Sequence, residues 1–496
     1  MEICSWQNFV LKKDNGLISK YSNKERAGNI VPLDVFQKED CSYYAFDSSL
    51  SNNFMEKFIE LFGIIPKAAL MHFWSNENSE FADITAFVKN VYLSFHVTLS
   101  SENVVYSISV KDSSDNIFNS LSISQSRNVY SSRWVSQSYN IFYSSVILDS
   151  YDIWYCTNCI WSNNCINCSD LTNQQYMINN IQYTKDEYIS MRDTVLLELN
   201  KDTSNKNSLG NIDSDDVLGI WLIHCIHVQN WFFATNAIDS RNIILTSAKE
   251  LNNNAYDLIL WWWNPWEWHY YGWVSCGWCT HTYCSIGIAF SSNCYYSYHL
   301  ESCSFCLWCI GLKNKSYCIL NKQYTKEERY TKVDEIFTQM EQDWQLWEFF
   351  PASMNPFYFN DTAAYLIDNS FTKEEVMAKW YLWRDEPIKV DIPEWAKVVK
   401  TQELDQYEWR KDTSSWTIVK DLSILSWDAS TSAFTTWDLA AWRIRWIDPE
   451  ILKVIIQDDQ GNVYKIVKME YDFLMKYGLP LPRKHRLDRM KDNFKI

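Results

Sequence analysis

The chain has 496 residues and a formal net charge of −16, from 45 Lys and Arg against 61 Asp and Glu. That balance argues against a general nucleic-acid binder, which needs a basic face to neutralise phosphates. The length leaves room for several domains, and no run of about 18 apolar residues occurs, so no membrane span is expected.

Residues 1–74 make an N-terminal region whose polar start lacks the apolar run of a signal peptide. Beyond it a motif recurs about every twelve residues, opening at Asn78, Asn90, Asn103, Asn116, Asn128, Asn140, Asp152 and Asn164. The step lengthens to thirteen where a residue is inserted. With the opening Asn as slot zero, slot one is β-branched (Val91, Val104, Ile117, Val129, Ile141, Ile153) and so is slot seven (Val97, Val110, Ile123, Val135, Ile147). Slots four and ten are Ser (Ser120, Ser132, Ser144; Ser126, Ser138, Ser150), and slot two is mostly aromatic (Tyr92, Phe118, Tyr130, Phe142, Trp154).

A helix repeats near 3.6 residues and a strand near two, so neither alone explains this period. Stacked coils of short strands and turns do, with equal slots forming ladders. At about 3.3 Å per residue, twelve residues trace a perimeter of roughly 40 Å, a tight interior suited to Ser and Cys. The alternative is that twelve residues form one side of a 24-residue turn. The expected fold is mainly β, with two tandem parallel β-solenoids. The first covers 75–183 and the second 213–324, where the step shows at Asn230, Asn242 and Asn254.

The evidence for two is a direct duplication. Cys165, Cys168, Leu171, Asn173, Tyr176, Ile178, Asn180 and the string from Gln182 to Glu187 recur 141 residues later, from Cys306 to Glu328. Each copy ends in a capping box, Thr184 with Glu187 and Thr325 with Glu328, as does Thr372 with Glu375. Helices are therefore expected near 184–203, 325–345 and 372–380, the first two capping the exposed edges of the solenoids. Residues 184–212 hold the first helix and a linker, 325–380 a helical segment, and 381–496 an α+β C-terminal region with a helix at 468–477. The basic string that closes the chain, from Pro482 to Lys495, reads as a solvated tail.

Cys156, Cys159, Cys165 and Cys168 form two CxxC pairs, the usual spacing for tetrahedral zinc. The second copy offers Cys303, Cys306, Cys309 and Cys318. The competing reading is a core ladder, because Cys156 and Cys168 fall in slot four and Cys159 in slot seven, and Cys behaves as a small buried hydrophobe. Residues three apart point to different sides of a straight strand, so zinc would need turns there. A second group, His224, Cys225 and His227 with Cys276, Cys279, His281 and Cys284, admits metal binding or core filling. Fifteen Cys without a secretory signal point to reduced thiols and a cytoplasmic location.

No P-loop, dinucleotide fingerprint, GxSxG or HExxH string is present. The weak catalytic candidates are Glu267 and His269, an acid and a base beside the turn at Asn264. The acids of the first array, Asp112, Asp115, Asp149 and Asp152, are scattered.

Glycine is scarce, 11 residues where ordinary usage gives roughly 35, while tryptophan reaches 26. Trp261, Trp262, Trp263 and Trp266 surround Asn264-Pro265, and Trp273, Trp278, Trp347, Trp380 and Trp395 also sit in turn-like or polar strings, where glycine's freedom is wanted. Many of these codons are expected to be UGA, read as Gly in the source.

The strings from Cys156 to Tyr188 and from Cys303 to Glu328 resemble a family of uncharacterised cysteine-array proteins of small-genome, uncultured bacteria. Some of those lineages read UGA as Gly. The resemblance runs from about Asn78 to the C-terminus, including the strings from Glu348 to Asp361 and from Tyr471 to Ile496. It implies zinc-ribbon-like metal binding and no established activity. Relatives carry further CxxC pairs, near the N-terminus and before the closing basic string. This chain has only Cys4 and Cys41 at the first place and no Cys around Asp458–Val463 at the second, and Met177 stands opposite Cys318 of the second copy.

The function expected from the sequence is a non-enzymatic binding or scaffold protein with an unknown protein or glycan partner, zinc being its one candidate cofactor. The alternatives are a glycan-active β-helix enzyme and a zinc-dependent regulatory protein.

Overall fold

In the computed structural model the described residues are 11–12, 17–21, 23–47, 54–200, 255–261, 270–277, 279–343, 346, 350–367, 369–386, 392–410 and 445–493, with backbone only for 11–12, 24, 73–74, 255–261, 270–277, 363, 367 and 409–410. The helices that carry the argument are α1 (Phe54–Ile64), α2 (Lys185–Leu199), α3 (Lys326–Gln342), α4 (Lys373–Ala378), α5 (Lys468–Tyr477) and α6 (Arg486–Asp492). The chain divides into two compact units, Met1–Met71 with Leu209–Asp385 and His72–Ser208 with Glu386–Ile496.

The second unit is built on a β-solenoid. One rank of strands runs through Asp115–Phe118, Arg127–Tyr130, Tyr139–Phe142, Tyr151–Trp154 and Asn163–Ile166. The other runs through Leu121–Ser124, Arg133–Ser136, Ser145–Leu148 and Thr157–Ile160. Each strand pairs in parallel with the one twelve residues on, so Ile117, Val129, Ile141, Ile153 and Cys165 share one ladder. One coil is therefore twelve residues, and the 24-residue alternative falls.

The bends come from the backbone. From Ile84 to Asn179 every third residue has φ near +50°, with an extra such residue at Ser100 and Ser113, where a coil takes its thirteenth residue. Four left-handed residues bend each coil four times. After each bend the next residue points inward, so slots one, four, seven and ten all face the axis. Slot zero is Asn or Asp because those side chains tolerate the left-handed region best after glycine.

Ser fills slots four and ten for a hydrogen-bonding reason. The Ser132 N–H donates to Ser120 Oγ (3.2 Å) and the Ser144 N–H to Ser132 Oγ (3.1 Å). Each hydroxyl in turn donates to the carbonyl two residues back, Ser120 to Phe118 (2.7 Å) and Ser132 to Tyr130 (2.9 Å). The ladder thus satisfies backbone groups that the bend removes from the strand pairing. Slots one and seven meet between the Ser ladders as one buried column from Val91 to Met177.

The coils do not bury themselves against each other alone. The slot-two rings pack on α5: Phe118 lies 4.5 Å from Phe473 and Phe142 4.9 Å from Tyr477. Ile166 and Ile178 pack on Tyr188 and Leu196 of α2. The closing basic string is no solvated tail. It forms α6, whose Arg489 is buried and donates to Glu470 Oε1 at 2.6 Å, because Glu470 is itself fully buried and needs the charge. Asn119 Nδ2 (2.9 Å) and the Tyr130 hydroxyl (3.3 Å) reach the same oxygen. The rest of the C-terminal region is α+β: Val398–Lys400 pairs in parallel with Ile455–Gln457, and Glu408–Arg410 pairs antiparallel with Arg445–Ile447.

In the first unit, four strands pair in parallel in the order Ala255–Trp261, Tyr270–Gly277, Thr280–Ala289, Ser292–Tyr295. Parallel bridges continue the twelve-residue step, Ser292 to Ser304 to Ser316 and Tyr295 to Leu307 to Ile319. Phe58 of α1 packs edge-on against Trp308 at 5.1 Å, and Phe62 against Tyr298 at 5.3 Å. Gly311 sits at a bend with φ +69°, where a Cβ would come within 2.7 Å of Cys41 Sγ. Residues 213–254, with Asn230, Asn242 and Asn254, lie outside the described residues.

Two matching asparagines end the ladders. Asn180 Oδ1 accepts the Ser169 N–H (2.9 Å) and its Nδ2 donates to the Ser169 carbonyl (3.1 Å). Asn321 does the same to Ile310, at 2.8 Å each way. One side chain stands in for the peptide of a further coil, so that pair of edge groups is not left open. Helices follow in both places, and Thr184, Thr325 and Thr372 each make the expected capping box. Among the described residues no helix is long and apolar enough to cross a membrane.

Candidate functional site

The eight candidate cysteines all point inward. A left-handed residue separates each pair three apart, Asn158 between Cys156 and Cys159 and Asn167 between Cys165 and Cys168. The straight-strand argument against shared facing is thereby corrected, since the bends it asked for occur at every triplet. Cys156, Cys159, Cys165 and Cys168 belong to the same buried column as the valines and isoleucines. Cys303, Cys306 and Cys309 are successive inward residues of one coil, and Cys318 falls one coil beyond Cys306.

Their hydrogen bonds copy those of serine. The Cys156 N–H donates to Ser144 Oγ (3.0 Å) and the Cys168 N–H to Cys156 Sγ (3.4 Å). Each thiol donates two residues back, Cys156 to Trp154 O (3.2 Å), Cys168 to Ile166 O (3.1 Å) and Cys309 to Leu307 O (3.3 Å). Cys156 and Cys168 therefore continue the Ser120–Ser132–Ser144 ladder. Burial pushes the Cys156 and Cys165 thiols up, with neighbouring thiols adding to it. Cys306 is the sulfur pulled well down, because the thiols of Cys294, Cys303, Cys309 and Cys318 surround it. Among the described residues no group of three or more His, Cys, Asp or Glu side chains is set to hold a metal ion. Cys284 and Cys294 are buried thiols outside any disulfide, whereas Cys279 is disulfide-bonded, which departs from the expectation of reduced thiols throughout.

A groove runs along the slot-zero Asn ladder where α5 crosses it, with a volume near 230 Å³. Asn103, Asn116 and Asn128, with the nearly buried Phe118, form one wall, and Met469, Asp472, Phe473 and Lys476 of α5 the other. The wall is wired in sequence. Asn90 Nδ2 donates to Asn103 Oδ1 (2.9 Å) and Asn103 Nδ2 to Asp115 Oδ1 (2.9 Å). Asn116 Nδ2 donates both to Asp115 Oδ2 and to Asn128 Oδ1 (3.1 Å each), and Asn128 Nδ2 to Asn140 Oδ1 (3.0 Å). Sequence reasoning missed this groove. Its Asn wall was visible as a ladder, but its other wall comes from residues more than 300 positions away, and nothing local to either string announces the pairing.

Glu267, His269 and Asn264 lie outside the described residues, as do His224, Cys225 and His227. Asp112, Asp115, Asp149 and Asp152 do not converge in the groove; Asp115 is held by Asn103, Asn116 and Arg127. Compared with family models, with curated proteins and with solved structures, the chain matches none.

Proposed function

We propose that this chain is a non-enzymatic binding or scaffold protein. On this reading it carries two tandem twelve-residue β-solenoids, the second continuing through the bridges from Ser292 to Ile319, with α2 and α3 capping them. One observation carries the reading: the polar groups that face the axis are consumed by ladder hydrogen bonds, while half-buried Asn side chains repeat once per coil from Asn103 to Asn140 and are bonded to one another and to Asp115. Such a surface is built for contact rather than turnover. The strongly shifted groups Lys67, His96, Lys111 and His299 line no part of the groove. The test is electrophoresis through gels cast with soluble polysaccharides, followed by a reducing-end assay of the same gels. Retardation without new reducing ends is expected; release of sugar would make the protein a glycan-active enzyme and overturn the reading.

Structural zinc is the second reading, favoured by the inward clustering of Cys156, Cys159, Cys165 and Cys168 and of Cys303, Cys306, Cys309 and Cys318. It competes with the ladder role of the same sulfurs. Elemental analysis of purified protein separates them: a stoichiometric metal selects zinc, and the ladders need none.

A further inference from the structure

We propose that one water molecule is bound inside the seam where α5 and α6 meet the solenoid, held by Arg489, Glu470 and Asn119. None of the three lines the groove, and the site does not depend on the binding-protein reading. Segments far apart in the chain meet at Glu470 Oε1. Arg489 Nη1 donates to it at 2.6 Å, Asn119 Nδ2 at 2.9 Å and the Tyr130 hydroxyl at 3.3 Å. Glu470 and Asn119 are fully buried and Arg489 is 8% exposed. A guanidinium commonly takes a carboxylate through two parallel N–H bonds, one to each oxygen. Here the second bond is not made. Glu470 Oε2, Arg489 Nε and Nη2, and Asn119 Oδ1 have no hydrogen-bond partner in the protein.

Buried polar atoms are paired with protein or with ordered water, because leaving them bare is costly. These four are complementary: Arg489 offers N–H donors, and the Glu470 and Asn119 oxygens are acceptors. Water can serve both kinds. It accepts from Arg489 and donates its two hydrogens to Glu470 Oε2 and Asn119 Oδ1, and about three bonds is the usual number for a buried water. The neighbouring polar groups are committed elsewhere, the Tyr106 hydroxyl to Lys465 O (3.4 Å) and Asn493 Nδ2 to Asn119 O (2.7 Å). The Arg489 guanidinium carbon lies 5.1 Å from the Tyr106 ring centre. That contact is between the charge and the ring, and it satisfies no N–H in the guanidinium plane. A halide ion fits worse, since it only accepts hydrogen bonds and would face two acceptor oxygens, one of them charged. Bound there, the water ties one coil to α5 and α6 at a single point.

The test uses the full chain. A crystal structure that resolves ordered waters should show a peak within hydrogen-bond distance of Arg489, Glu470 Oε2 and Asn119 Oδ1. In solution, a side-chain N–H of Arg489 should cross-relax with water, with the sign of a water that stays longer than the protein takes to tumble. Asn119→Leu is close in size but has no acceptor oxygen. In it that cross-peak should be lost while the Arg489 side-chain signals still report the pair with Glu470. Should that variant fail to fold, the two measurements on the parent chain decide alone. Three results overturn the proposal. One is no peak, with Arg489 bonded directly to both Glu470 oxygens. Another is a peak that gains anomalous scattering when bromide replaces chloride, which marks a halide. The third is cross-relaxation that is unchanged in Asn119→Leu.

Discussion

Left-handed residues other than glycine cost roughly 1 kcal/mol each or more, and this chain accepts one at every third position of its coils. Trp380 shows that cost outside the coils. It follows α4 at φ +68°, with its N–H on Met377 O (3.0 Å) and the Tyr381 N–H on Val376 O (3.3 Å), the paired bonds of a Schellman motif. Gly478 takes the same left-handed place after α5. Trp380 is 73% exposed and gains little packing in return. Trp380→Gly should therefore stabilise the protein by about 1 kcal/mol in denaturant unfolding, and a genomic UGG codon there would remove the recoding proposal at this site. Trp308 is the contrast: it also has positive φ but is buried against Tyr296 (4.5 Å), so glycine there should destabilise. Among the Ser ladders, Ser132→Ala strands the Ser144 N–H in a dry column. It should cost about 1–3 kcal/mol, whereas Ser132→Cys should be milder because Cys156 already fills that role; equal losses for the two would contradict the hydrogen-bond account.

At the scale of elements, the solenoid's existence and step were legible in the sequence because equal slots repeat side chains. So were α2, α3, α4 and α5, because capping boxes and amphipathic strings are local. The bends were not legible. Slots three, six and nine hold residues as unlike as Asn119, Trp134 and Gln137, so no side-chain signal marks them. Nor was the docking of α5 and α6, which depends on Glu470 and Arg489 finding Asn119 and Tyr130 across the chain. That cluster predicts an asymmetry. Arg489→Met leaves a buried carboxylate without its cation and should cost about 3–5 kcal/mol, while Arg489→Met with Glu470→Leu should recover part of it. A double-mutant cycle by denaturant unfolding reads the difference, and additive losses would show that the pair does not act as one.

At the scale of the whole molecule, the pH dependence among the described residues comes from His96 and His485 in one unit and His299 in the other; burial holds His485 down to about 4. His96 is held down to about 3 by burial with Lys111 adding to it, and His299 to about 3 by burial with Lys20 and Lys67 adding. A folded pKa below the unfolded 6.5 means the stabilisation is full above that value and lost as pH falls toward 3. Stability should drop by up to about 1.4 kcal/mol per pH unit for each residue. His96→Gln should flatten the loss in the unit that contains it, and an unchanged profile would remove His96 from the account. The claim on which the rest depends is the twelve-residue coil itself. Methyl-labelled Ile and Val in the intact chain test it through the nuclear Overhauser effects of the slot-one ladder. The coil predicts an unbroken chain of cross-peaks from Ile117 to Val129 to Ile141 to Ile153. Cross-peaks that skip from Ile117 to Ile141, with Val129 elsewhere, would mean a 24-residue turn and would contradict the fold, the Ser ladders and the groove together.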